Sequence, residues 1–179
     1  MTQLPEAARR NAVFAELGPV EAQDVSALGS AVEHAVGDVI FADGDPGDAL
    51  YVIVSGSVRI AKATPESVDR KTLATLREGD VFGEMALLAE TTRSASAIAG
   101  TNCRLLRIGR DGFAELLESQ DPVAFKVLLG LSRLLCARLT RVDAELAAAL
   151  QGGKGPAPSD GWVSLERLRT AIADPMRRA

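Results

Sequence analysis

Between Glu33 and Arg110 the apolar residues of this chain come in short runs, parted by Gly, Asp, Asn and Pro: Val39-Ile40-Phe41, Leu50-Tyr51-Val52-Ile53-Val54, Val58-Arg59-Ile60 and Leu105-Leu106-Arg107-Ile108. Runs this brief, rich in β-branched and aromatic residues and bounded by turn formers, read as strands and not as buried helices. Many short strands at close intervals must hide their edges. A mainly β fold follows, a small antiparallel barrel or jelly roll.

Helical spacing brackets this region. Upstream, Val13 and Leu17, then Val25 and Leu28, recur at three or four, with Gly18-Pro19 as a break that starts a new helix, so two short N-terminal helices are predicted. Downstream, the spacing returns in Phe113 to Leu117. After Asp121-Pro122 it runs through Ala124, Leu128, Leu131, Leu135, Leu139, Val142, Leu146 and Leu150. That predicts one long helix over about 122–150 with a single apolar stripe. Such a helix, roughly 40 Å long, is not stable by propensity alone, so the barrel, a partner helix or both must cover the stripe. A homodimer through the long helix is the simplest cover. Arg138 and Arg141 interrupt the stripe on neighbouring faces, which points one side toward something polar or negative; plain solvation serves Arg138 equally well.

With 179 residues, 47% hydrophobic and 25% charged, the chain suits one domain over 1–150, its roll at 33–110, plus an appendage. The Gly- and Pro-rich stretch 151–161 has linker composition. The tail, 162–179, spaces Trp162, Leu165, Leu168 and Ile172 at three and four behind a capping Ser164, and is expected to order only on a surface, its own domain's or another protein's. Arg167, Arg169, Arg177 and Arg178 flavour it basic, and Glu166 and Asp174 dilute that. A net charge of −4 argues against a chain built to coat nucleic acid. Met1 to Val13 carry no signal-like apolar core, and no run approaches the length of a membrane span, so a cytoplasmic protein without membrane contact is expected. Cys103 and Cys136 stand far apart with no second Cys or His near either, and both read as small core hydrophobes. His34, in the alternating stretch Val32 to Val36, reads as a half-exposed strand residue. No nucleophile–base, paired-carboxylate or metal-ligand arrangement is present, so no catalytic residue, metal or cofactor is expected and the chain is not read as an enzyme.

The chemistry concentrates in Gly79-Asp80-Val81-Phe82-Gly83-Glu84-Met85-Ala86-Leu87-Leu88 and the following Ala89-Glu90-Thr91-Thr92-Arg93-Ser94-Ala95-Ser96. Gly83 permits close backbone approach, and one helical turn after it would aim free N–H groups at a common spot, a setting for an anion. Arg93, ten residues on, is near enough to fold back and fork two phosphate oxygens; Ser94 adds a hydroxyl and an amide. Glu84 beside an anion needs another task, such as accepting a sugar hydroxyl while pairing with an Arg. An ordinary Glu84–Arg93 ion pair closing a turn fits the same spacing, and spacing alone does not choose.

Phe82-Gly83-Glu84-Met85-Ala86-Leu87-Leu88 with Arg93-Ser94-Ala95-Ser96 closely resembles the phosphate-binding cassette of cyclic-nucleotide-binding domains, found in catabolite activator proteins, kinase regulatory subunits and cyclic-nucleotide-gated channels. The resemblance extends to Gly37-Asp38-Val39-Ile40, Gly44 and Gly47, Tyr51 to Val58, and Leu76 to Asp80, and spans roughly Phe14 to Leu150. It implies an eight-stranded antiparallel jelly roll with N-terminal helices and a long C-terminal helix. It further implies that Arg93 clamps a cyclic phosphate, that Glu84 holds the ribose 2′-hydroxyl, and that Gly83, Ser94 and Ala95 contact the phosphate, with Met85 and Ala86 in the same turn. Ile60, Leu73, Met85 and Ala97 fall where the family packs base and sugar, and serve as well as plain core residues. From the long helix Arg141, Val142 or Asp143 would face the base, Arg141 first, because a guanidinium stacks on a purine. Ser94 occurs in the family beside cAMP and also suits cGMP; cAMP is favoured.

The resemblance thus implies a cytoplasmic receptor module for a cyclic nucleotide that signals through protein contacts, of a homodimer or at the tail. The 29 residues after Leu150 are too few for the DNA reader of the transcription-factor branch, so direct DNA binding is not expected. The competing expectation is a ligand-free relative kept as an interaction scaffold.

Overall fold

The computed structural model describes residues 3–64 and 67–150. Two short helices, α1 (Glu6–Arg9) and α2 (Pro19–Ala27), precede the strands β1 (Gly29–His34), β2 (Val39–Phe41), β3 (Ala49–Ser55), β4 (Ser57–Thr64), β5 (Ser67–Arg77) and β6 (Val81–Phe82). A single helical turn, α3 (Met85–Leu88), leads to β7 (Ser96–Ala99), β8 (Cys103–Gly109), α4 (Arg110–Glu118) and the long α5 (Pro122–Leu150). The strands form two four-stranded antiparallel sheets, ordered β1-β8-β3-β6 and β2-β7-β4-β5. Mainly antiparallel sheet with flanking helices is the expected architecture, and eight strands in two sheets are consistent with a jelly roll. The strands begin at Gly29, earlier than the expected boundary at Glu33. The expected linker 151–161 and tail 162–179 lie outside the described residues.

The unbroken apolar run at Leu50 to Val54 has a simple cause. Ala49, Tyr51 and Ile53 point between the sheets, against Val58, Ile60, Ala97 and Leu105. Leu50 and Val52 point the other way, into a second core with Phe14, Val25, Phe113, Val127 and Leu131 from the helical layer. A strand buried on both faces has no reason to alternate with polar residues.

The N-terminal segment departs from the expected helix around Val13. Helix α1 stops at Arg9, and the Asn11 side chain accepts the Val13 N–H at 3.1 Å while its Nδ2 donates to the Gly79 carbonyl at 3.3 Å. An Asn that bonds its own backbone two residues on competes with the helical ladder, so the chain turns here. Helix α2 starts where Gly18-Pro19 predicted, its Gly18 N–H donating to Glu21 Oε2 at 2.7 Å.

Helix α5 packs Val123, Ala124, Val127 and Leu131 on the core and leaves Leu139 exposed. Cys136 is exposed as well, contrary to expectation, whereas Cys103 is buried. Cys136 sits two residues from both Leu134 and Arg138, which face inward, and two residues carry a helix past halfway to its opposite side. Half-buried His34 pairs with Cys103 in the β1–β8 ladder, as expected of a strand residue. Among the described residues no helix is long and apolar enough to cross a membrane, and no group of three or more His, Cys, Asp and Glu is placed to hold a metal ion.

The N-terminal turn and α5 are joined closely. Lys126 Nζ reaches both Glu21 carboxylate oxygens, at 2.6 and 2.8 Å, Arg133 pairs with Glu16, and a Cβ on Gly130 would lie 2.5 Å from the carbonyl oxygens of Ala12 and Val13. Gly130→Ala, which in an exposed helix would stabilise by about 1 kcal/mol, should here destabilise by about 1–3 kcal/mol in urea unfolding, because backbone must move to admit the methyl. The Lys126 ammonium, with the Gly18 amide, holds the Glu21 carboxyl below its usual range. Its stabilisation is therefore present at neutral pH and lost as pH falls through the carboxylate range, so the stability difference between wild type and Glu21→Gln should shrink on acidification.

Candidate functional site

The end of β6 delivers the chain to Gly83, whose φ of 72° is left-handed and whose added Cβ would lie 2.7 Å from Arg93 Nη1 and 3.2 Å from the Ala49 carbonyl oxygen. Glycine is required there on both counts. The turn α3 then closes as the Ala86 and Leu87 N–H groups donate to the Gly83 and Glu84 carbonyls at 3.2 and 3.1 Å.

Segment 91–96 returns along the 43–47 turn and is pinned to it. Gly47 N–H donates to Thr91 O at 2.9 Å, Arg93 N–H to Asp45 O at 2.8 Å, Gly44 N–H to Arg93 O at 2.9 Å, and Asp43 N–H to Ser96 Oγ at 3.0 Å. Gly44 has φ 90°, and a Cβ on Gly47 would lie 2.7 Å from the Thr91 carbonyl oxygen. These glycines are what let the two segments lie together, and the lattice fixes the backbone on either side of Arg93.

Arg93 folds back as its spacing suggested. Its side chain is 4% exposed; Nη1 donates to Ala49 O at 2.8 Å and to Gly83 O at 3.2 Å, Nη2 pairs with Asp48 Oδ1 at 3.1 Å, and Cζ lies 4.2 Å from the Phe41 ring centroid. Phe41, Tyr51 and Phe82 cluster beneath it with centroids 5.2–5.8 Å apart. Arg93 Nε is buried without a hydrogen-bond partner. Burial pushes the guanidinium below its usual pKa, against the pull of Tyr51 and Asp48. Asp48 is a divided counter-charge: its side chain is 57% exposed, and its other oxygen accepts from Arg107 Nη2 at 2.6 Å. The site therefore holds a cation whose desolvation is incompletely offset, the condition under which an incoming anion gains most.

Glu84 does not pair with Arg93. It is buried, 4% exposed, and ion-pairs with Arg138 of α5, whose Nη2 also donates to Val81 O at 3.1 Å. The polar target that the interrupted stripe pointed to is this carboxylate. Neither Asp48 nor Arg138 was among the residues singled out for the site, although Arg138 carried a signal as a charge breaking an apolar stripe. Asp48 carried none beyond its place after Gly47.

A recess of about 480 Å³, counted out to its open mouth, lies against these groups. Of the residues expected at a site, Gly83, Glu84, Met85, Ala86, Arg93, Ser94, Ala95 and Ile60 line it. Leu73 and Ala97 do not. They pack in the core between the sheets, as plain core residues would. Arg141, on α5, is not in the lining either; the arginine that α5 brings to the cassette is Arg138. The lining adds Phe41, Gly47, Phe82, Thr91 and Thr92, brought in by the sheet pairing and the 43–47 turn.

Residues 31–120 match the model of the family described as the cyclic nucleotide-binding domain. The chain is 42% identical over 110 residues to the cyclic AMP receptor protein of Thermus thermophilus, a match covering 62% of this chain and 49% of that protein. It is 36% identical over 111 residues to a cAMP-dependent protein kinase regulatory subunit of Aspergillus niger, covering 62% of this chain and 26% of the subunit. The match thus spans half or less of these curated relatives' own lengths. Among solved structures, the Thermus thermophilus catabolite activator protein superposes with a TM-score of 0.69 at 36% identity, covering 77% of this chain and 62% of that one. The N-terminal domain of a transcriptional regulator from Streptomyces coelicolor A3(2) gives 0.67 at 32%, covering 74% and 94%.

The Glu84–Arg138 contact should be measurable as an energetic coupling between α3 and α5. A double-mutant cycle of Glu84→Gln and Arg138→Met, followed by urea unfolding, should give a coupling of about 1–3 kcal/mol. Additive losses would mean that the ion pair does not hold the helix to the cassette.

Proposed function

Because the chain belongs to the cyclic nucleotide-binding domain family, we propose that it is a receptor module for a cyclic nucleotide, cAMP in preference to cGMP. The observation that carries the reading is the buried Arg93 guanidinium, with an unpartnered Nε, on the wall of an open recess. A cyclic phosphate offers the acceptor oxygens and the charge that this group lacks. In this reading Arg93 clamps the phosphate, and backbone or hydroxyl groups of Gly83, Ser94 and Ala95 share it. Glu84, oriented by Arg138, accepts the ribose 2′-hydroxyl, and Ile60 and Met85 pack the sugar and base. The module is assigned no catalytic step, metal or cofactor. The relatives of this chain that are a cyclic AMP receptor protein and a cAMP-dependent protein kinase regulatory subunit support cAMP as the first ligand to try.

Ligand in the recess bears on α3, and α3 is tied to α5 through Glu84 and Arg138, so binding that differs between two arrangements of these elements becomes a shift in α5. The output is through protein contacts, first of a homodimer along α5. Phe125, Leu129, Cys136 and Leu139 are exposed on α5 at heptad-compatible spacing, away from the core-facing stripe. A cytoplasmic setting and a protein partner at the tail remain part of the proposal, and direct DNA reading by these residues does not.

A second reading has its own support. Arg93 already has Asp48 and Glu84 already has Arg138, as a scaffold that binds no nucleotide would require. Titration calorimetry of nucleotide-stripped protein with cAMP and cGMP separates the two. Micromolar or tighter binding, weakened about a hundredfold or more in Arg93→Ala, is expected; silence from folded protein with both ligands selects the scaffold. Light scattering should show a dimer that Leu139→Glu converts to monomer, and a wild-type monomer with and without ligand would remove the dimer.

A further inference from the structure

Lys62 lies on β4, outside the cassette, and its side chain leaves the strand toward the cassette's end, where the β4–β7 ladder pairs Ala61 with Ser96. Its Nζ donates to the Ser94 carbonyl at 2.7 Å and stands 3.7 Å from Asp43 Oδ2. The two contacts are not equivalent. A half-exposed ion pair at the longer distance contributes little, so the well-formed bond is the one from a full charge to a peptide oxygen.

That peptide belongs to the site. A trans peptide unit is planar, with its C=O and N–H pointing in opposite directions, and the chain has no cis peptide bond among its described residues. Holding the Ser94 oxygen on the Lys62 side therefore turns the Ala95 N–H the opposite way. Ser94 and Ala95 both line the recess next to Arg93. The ammonium on the carbonyl also polarises the unit, which makes the N–H a stronger donor. On the far side the same segment is fixed by Arg93 N–H to Asp45 O and by Gly44 N–H to Arg93 O. Lys62 adds a restraint at the next peptide, which those bonds do not hold.

We infer that Lys62 is a positioning residue for the phosphate end of the site, orienting and strengthening the Ala95 amide as an oxyanion donor beside Arg93. The inference rests on the cyclic-nucleotide reading above. It predicts that Lys62 acts on one phosphate oxygen in particular, whereas a surface lysine would add only diffuse positive potential.

The experiment is titration of nucleotide-stripped wild type, Lys62→Met, Lys62→Gln and Lys62→Arg with cAMP and with its two phosphorothioate diastereomers, each of which replaces a different exocyclic oxygen by sulfur. Lys62→Met and Lys62→Gln should bind cAMP about tenfold more weakly and discriminate less between the diastereomers, with unchanged urea midpoints. Lys62→Arg should recover most of both. Wild-type affinity in Lys62→Met overturns the inference. So does a loss equal for both diastereomers that vanishes at high salt, the signature of diffuse charge. A wild type that binds none of the three probes removes the receptor reading itself and Lys62's role with it, an outcome distinct from a binding wild type with indifferent variants.

Discussion

The arrangement of this domain turns on a buried arginine. A guanidinium withdrawn from water is tolerated only when its donors are met and its charge is answered, and Arg93 is met by two carbonyls, the aromatic faces of Phe41 and Tyr51, and one carboxylate that it shares with Arg107. Each partner dictates something about its neighbourhood. The Ala49 carbonyl comes from the start of β3, and the Gly83 carbonyl requires a residue without a side chain. The nearer aromatic face requires Phe41 to reach inward from β2. The Arg93 Nε is left buried without a hydrogen-bond partner.

Around that point the fold supplies rigidity from two directions. The inter-sheet core fixes Phe41, Tyr51 and Phe82, and the second core fixes α5 against the outer face of β3 and β8. The cassette lies where the two meet, at the open end of β6. Glu84 spans the gap, since it sits in the cassette and bonds an arginine of α5. A carboxylate in that position joins the cassette to the helix that carries the exposed Phe125, Leu129 and Leu139. The N-terminal segment, clasped to the first half of α5 through Glu16, Glu21 and Gly130, anchors the helix on the side where it is covered.

Much of this was legible in the sequence because it depends on local pattern. Short β runs between turn residues, the break at Gly18-Pro19 and the three-and-four stripe after Pro122 report backbone periodicity, which neighbours in sequence determine. Gly83 and Arg93 stood out as candidates ten residues apart in one segment, and the resemblance to a family, not the spacing, singled them out as a cassette. The departures depend in part on distant residues. The turn at Asn11 combines a local bond to the Val13 N–H with one to the Gly79 carbonyl, and the exposure of Cys136 depends on which face of α5 the roll covers.

The sequence by itself determined the mainly β texture of the roll, the helix break at Gly18-Pro19 and the span of α5, since these follow from side-chain periodicity and turn residues, and its resemblance to a family pointed to the cassette. Only the tertiary structure decided how the charges were partnered. Spacing left Glu84–Arg93 open as an ion pair; the fold instead gave Arg93 to Asp48, 45 residues away, and Glu84 to Arg138, 54 residues away. The physical reason is that an ion pair is chosen by proximity and burial in three dimensions. Which carboxylate comes within reach of which guanidinium is set by how sheets and helices pack, a quantity that no local window of sequence contains.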